Sequence, residues 1–162
     1  RKAPIARAVL SWNPDVRAIV IPTGLLGNVQ TLRISPAHRV LFDSPTVELL
    51  FAETEVFVPA RKLVGHAGVS VDMSDGPLIY FHLLFDRHEV IRSNGCWSES
   101  LFLGEAPQAA IAAASGWQIE TGKDIAKMVH TRTARAVLNG YEATLLLNTL
   151  DGAQDRYVGT AA

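Results

Sequence analysis

The fold is decided by the run Leu78-Ile79-Tyr80-Phe81-His82-Leu83-Leu84-Phe85-Asp86-Arg87-His88-Glu89-Val90-Ile91-Arg92-Ser93-Asn94-Gly95-Cys96-Trp97-Ser98-Glu99-Ser100. Its first part is apolar and aromatic and reads as a strand running from Leu78 to Phe85 and carrying His82. His88 follows, and Glu89–Arg92 reads as a second strand. Asn94-Gly95 suits a tight turn because both residues tolerate positive φ. Ser98-Glu99-Ser100 places two hydroxyls around one carboxylate, a pattern more often met in a solvated loop. Upstream, Ile34-Ser35-Pro36-Ala37-His38-Arg39-Val40-Leu41 sets a hydroxyl three residues before a histidine, again between strand-like runs. The two stretches are expected to form two walls of one site.

The same signals extend outward. Val16–Ile21, Thr31–Ser35, His38–Phe42, Glu55–Ala60 and Val69–Met73 read as strands, and Thr31–Ser35 alternates so that one face should be buried. Pro36 interrupts ladder pairing at a strand edge. Val47–Phe51 suits a strand or a short helix. Arg1–Arg7 is basic and loop-like, with a short strand at Ala8–Leu10. Asn13-Pro14-Asp15 and Ser74-Asp75-Gly76-Pro77 are turns. Short strands spaced by about 8–12 residues indicate a mainly β, all-β fold. After Gly104 the character changes. Ala106–Ala114 and Ile119–Val129 read as helices, Tyr141–Leu147 as helix or strand, and the tail from Asp151 as loose. The expected organisation is a β domain over 1–104, a helical extension over 105–150 and a tail over 151–162.

Composition narrows the function. A chain of 162 residues that is 48% apolar supports one hydrophobic core. A net charge of −1 without a basic stripe argues against nucleic acid. No apolar run reaches the length of a membrane span. The single cysteine, Cys96, excludes an internal disulfide and a cysteine-based zinc site. No P-loop, dinucleotide glycine motif or Gly-x-Ser-x-Gly is present, and no cofactor is expected.

Four residues are candidates for chemistry. His38 can act as an acid or base toward a nearby amide, with the Ser35 hydroxyl as local support, because imidazole titrates near neutrality. His82 and His88 would share a face if one continuous strand carried both. Two histidines do not make a metal site, and proton transfer is the better use for one of them. Cys96 reads as a small apolar residue after a turn.

Residues from about Val16 to Gly104 resemble a bacterial Hedgehog/intein (Hint) domain. The likeness rests on Leu25-Leu26-Gly27-Asn28, on Ile34 to Leu41, on Ala52 to Val64, and most strongly on Tyr80 to Ile91 with Asn94-Gly95 and Ser98-Glu99-Ser100. Thr133 to Leu147 also resembles the extension that follows the domain in this bacterial group. The resemblance implies a horseshoe-like all-β fold and self-processing. A cysteine at the domain's first position attacks the preceding carbonyl, and the resulting thioester is cleaved by water, a thiol or another nucleophile. The substrate is the chain's own upstream polypeptide. His38 takes the role of the activating histidine, with Ser35 where related domains often have threonine. His82 or His88 assists proton transfer.

Two departures qualify this. The block with the nucleophilic cysteine is expected a few dozen residues before Arg1, so the chain as it stands is expected not to form the thioester. Cys96 does not match that position. No terminal His-Asn pair is present, so cleavage at the N-terminal junction, without splicing, is the expected activity. The rival reading is a non-catalytic structural or binding β-module of a larger secreted protein. A hydrolase using Cys96 with His88 is a third.

Overall fold

The computed structural model describes residues 2–5, 16–74, 78–104, 129–153 and 157. Its strands are β1 (Lys2–Ile5), β2 (Ile19–Ile21), β3 (Leu32–Ile34), β4 (Arg39–Phe42), β5 (Val56–Pro59), β6 (Ser70–Val71), β7 (Leu78–Phe81), β8 (Val90–Ser93), β9 (Cys96–Glu99) and β10 (Ala136–Val137). Helix α1 spans Pro45–Phe51, helix α2 Gly140–Ala153, and a 3-10 turn Ala60–Leu63. The chain is therefore mainly β, with a C-terminal helix. The expected helix at Ala106–Ala114, the strand at Ala8–Leu10 and the turn at Asn13–Asp15 lie outside the described residues, as do all but Val129 of the helix expected over Ile119–Val129 and all but Ser74 of the turn expected over Ser74–Pro77.

The largest sheet has five strands in the order β10-β5-β4-β9-β8. β4 is its middle strand, with β5 beside it. Both are rich in β-branched and aromatic residues, and Val40, Leu41, Phe42, Val56, Phe57 and Val58 are all buried. A three-stranded sheet, β3-β2-β6, supplies Ile19 and Ile21 to the same core. Helix α2 closes the core with Ala143, Leu146, Leu147 and Leu150, the i, i+3, i+4, i+7 stripe of an amphipathic helix. Its start is fixed by a capping box. The Asn139 side chain accepts the Tyr141 and Glu142 amides, and Glu142 accepts the Asn139 amide. Tyr157 is buried, with its ring 6.0 Å from that of Phe42, and its hydroxyl donates to Asp151.

The hairpin β8–β9 turns through Asn94 and Gly95, both at positive φ (53° and 83°). Its tip is locked to the loop after β2. Val29 donates to the Asn94 carbonyl at 2.9 Å, and the Asn94 side chain donates to Gln30. A Cβ on Gly95 would lie 2.4 Å from the Gly27 oxygen, so only glycine fits this approach. Asn28 is buried here and holds the loop through Leu26, Pro22 and Gln30.

Three local expectations are corrected. Lys2–Ile5 is a strand, paired antiparallel with β7 so that Pro4 faces Ile79. In a two-stranded ribbon each strand is an edge, where a proline removes no central ladder bond. Next, β7 ends at Phe81, opposite Lys2, where its partner ends. Residues 82–85 run on without a ladder, so no continuous strand carries both His82 and His88. Last, Ser98-Glu99-Ser100 is no solvated loop: all three residues are buried at the end of β9.

Candidate functional site

Ser35-Pro36-Ala37-His38 is a β-turn. The His38 amide donates to the Ser35 carbonyl at 3.0 Å, with proline at the position that favours its fixed φ. It is Ser35's carbonyl oxygen, rather than its hydroxyl, that holds the histidine. The turn is tied to the 3-10 turn by Ala60 N–H to His38 O at 2.8 Å and Arg61 N–H to Pro36 O at 2.9 Å. His38 is thus half-buried on a braced turn, immediately before a central strand. Its ring centroid lies 6.0 Å from that of His82, which is itself 6.4 Å from the Tyr80 ring. A cavity of about 680 Å³ opens beside the turn and is lined in part by Ser35, Pro36, Ala37 and Tyr80.

Behind His38 lies a buried carboxylate. Glu99 accepts the Arg39 backbone amide at 2.9 Å on Oε1 and the Arg39 guanidinium at 2.8 Å on Oε2. One side chain from β9 therefore fixes both the main chain and the side chain of the residue after His38. The guanidinium also stands 5.6 Å from the Phe102 ring centroid, a cation–π distance. Burial pushes the His38 imidazole below its ordinary 6.5; the Glu99 carboxylate pulls the other way, and Arg39 and His88 add to the lowering.

His88 is fully buried on the far side of Glu99. Its Nδ1 accepts the Ala134 amide at 3.0 Å, so the ring proton must sit on Nε2. That nitrogen is 3.0 Å from Glu99 Oε2, yet its N–H is not aimed along the line. The contact is better read as a close polar approach than as an aligned hydrogen bond. Phe57 and Phe102 enclose the ring at centroid distances of 5.6 and 5.0 Å.

His130 is a further buried histidine that lies outside the sequence candidates. Its Nδ1 accepts the Leu103 amide at 3.1 Å, and its Nε2 is 3.0 Å from the Phe85 carbonyl, to which it donates. The sequence offers no local sign of this, because both partners are far away along the chain. Nor does the sequence mark Arg39 and Glu99, sixty residues apart, as a pair.

The fold thus brings His38 and His82 together and sets His88 apart behind Glu99. Cys96 is carried into the core, where its thiol donates to the Trp97 carbonyl and burial pushes its pKa up to about 12. It is a poor thiolate and no partner for His88. Among the described residues no three His, Cys, Asp or Glu side chains are grouped so as to hold a metal ion.

A family model described as the Hint domain matches residues 2–105, more than half of the chain. The chain belongs to the Hint domain family. No curated protein and no solved structure matches it. The matched span of the Hint domain holds the His38 turn, His82, His88 and Glu99. The segment that carries His130 and Ala134 lies beyond it.

Proposed function

We propose that this Hint domain serves autocatalytic cleavage of the peptide bond at its N-terminal junction, with His38 as the proton-transfer group. The nucleophile in this reading is a cysteine at the start of the domain, upstream of Arg1. Its sulfur attacks the preceding carbonyl carbon, the C–N bond breaks as the S–C bond forms, and the thiol proton passes to the leaving nitrogen. Water or a thiol then cleaves the thioester and regenerates the cysteine thiol.

The observation that carries this reading is the setting of His38. A lowered pKa keeps the imidazole neutral near pH 7, ready to accept the thiol proton. The same shift makes its conjugate acid a better donor to the nitrogen. His82, beside it, is the assisting histidine. Both nitrogens of His88 face groups of the protein, which suits holding Glu99 in place better than proton transfer.

The test uses the polypeptide that carries this chain together with the residues preceding Arg1. Intact mass with and without dithiothreitol should reveal a thiol-accelerated fragment that begins with the domain's first cysteine. His38→Ala should slow its appearance by about 10²–10⁴-fold, the usual worth of general acid–base catalysis. A single uncleaved mass under both conditions overturns the proposal. It would favour a binding module, for which the exposed row Ile79, Phe81, Leu83 and Phe85 is the supporting feature.

A further inference from the structure

We propose that the segment after the family match, residues 129–138, is a working part of the site and sets the tautomer of His88 through the Ala134 main-chain amide. Three independent anchors seat this segment. β10 adds a parallel edge strand to β5, pairing Ala136 with Val56 and Val137 with Phe57, and the Leu138 amide donates to Phe57. The His130 ring bridges the Leu103 amide and the Phe85 carbonyl, while the His130 amide donates to the Leu103 carbonyl at 2.7 Å. Arg135 pairs with Glu55. Between these anchors, Ala134 N–H is held on His88 Nδ1.

The consequence follows from the imidazole's two nitrogens. In a neutral ring one carries the proton and the other accepts, and the partner of one decides the state of the other. With Nδ1 committed to Ala134, the proton is directed to Nε2, the nitrogen that faces the Glu99 carboxylate. The opposite tautomer would leave Nε2 without a proton beside a carboxylate oxygen 3.0 Å away, a less favourable close approach although that nitrogen is not aimed along the line. Glu99 in turn holds the Arg39 amide one residue from His38. The extension therefore reaches the His38 turn through a chain of contacts, Ala134 to His88 to Glu99 to Arg39. His88 and Ala134 are positioning residues. The inference rests on the reading of the His38 turn as the working site, but its test involves no cleavage.

The test is NMR on the uniformly ¹⁵N-labelled chain. The wild type is expected to show the His88 proton on Nε2 and a scalar coupling between the Ala134 amide nitrogen and His88 Nδ1 across their hydrogen bond. Ala134→Pro removes the donor. It is expected to abolish the coupling, move both His88 nitrogen resonances toward tautomer exchange and shift the Arg39 amide proton. A folded Ala134→Pro variant with unchanged His88 and Arg39 resonances overturns the proposal. If that variant does not fold, the wild type decides alone: a His88 proton on Nδ1, with no coupling to Ala134, overturns it.

Discussion

Four of the five histidines gather in one region, yet they divide into two kinds. His38 and His82 sit half-buried on a turn and on a ladder-free run, with their ring centroids 6.0 Å apart. His88 and His130 are buried, and their ring nitrogens meet main-chain groups or the Glu99 carboxylate. The difference is one of use. An imidazole whose lone pair is already committed cannot shuttle a proton without breaking its own support. For the His38 ring, on its braced turn, no such hydrogen bond is found among the described residues. Glu99 is the partition between the two, touching His88 on one side and the residue after His38 on the other.

The comparison breaks most severely at that partition. Glu99→Leu leaves the largely buried Arg39 guanidinium and its own main-chain amide without an acceptor. Removing one member of a buried pair costs about 3–5 kcal/mol. Urea unfolding should show the loss, and a change under about 1 kcal/mol would mean that water replaces the carboxylate easily. His130→Ala comes next. It leaves the Leu103 amide and the Phe85 carbonyl without the ring nitrogens they bond to, at a cost of about 1–3 kcal/mol. The same unfolding experiment measures it, and a neutral result would place His130 with His38.

Part of the frame around His38 was legible in sequence. Pro36 marks the break in pairing before β4, and Asn94-Gly95 announces the hairpin through its dipeptide. Helix α2 could also have been assigned, because Asn139 and Glu142 form a capping box three residues apart. The closed pair was not legible. Arg39 meets Glu99 sixty residues away, and Ala134 meets His88 across forty-six. No local pattern encodes such meetings, and a short hydroxyl-rich run such as Ser98-Glu99-Ser100 looks solvated until a sheet covers it. Periodicity misled in one place. Residues 82–85 keep the composition of a strand, but their carbonyls are met by Leu101 N–H and the His130 ring instead of a neighbouring strand.

His38 makes the gentlest predictions. His38→Gln should change stability at pH 8 by less than about 1 kcal/mol, since among the described residues no hydrogen-bonded partner of its ring is stranded. Its signature lies in pH dependence. The folded His38 pKa is below 6.5, so above that value both folded and unfolded chains hold the ring neutral. As pH falls below 6.5, the unfolded ring takes up a proton that the folded ring refuses, and stability declines. The decline is at most about 1.4 kcal/mol per pH unit for one proton. It stops once pH passes below the folded pKa, where both states are protonated. Urea midpoints for wild type and His38→Gln across this window should diverge with the wild type steeper, and the His38 Cε1 proton should titrate below 6.5. Parallel curves, with a midpoint at or above 6.5, would place His38 in ordinary solvent. His38 and the closed histidines would then differ in burial but not in readiness for proton transfer.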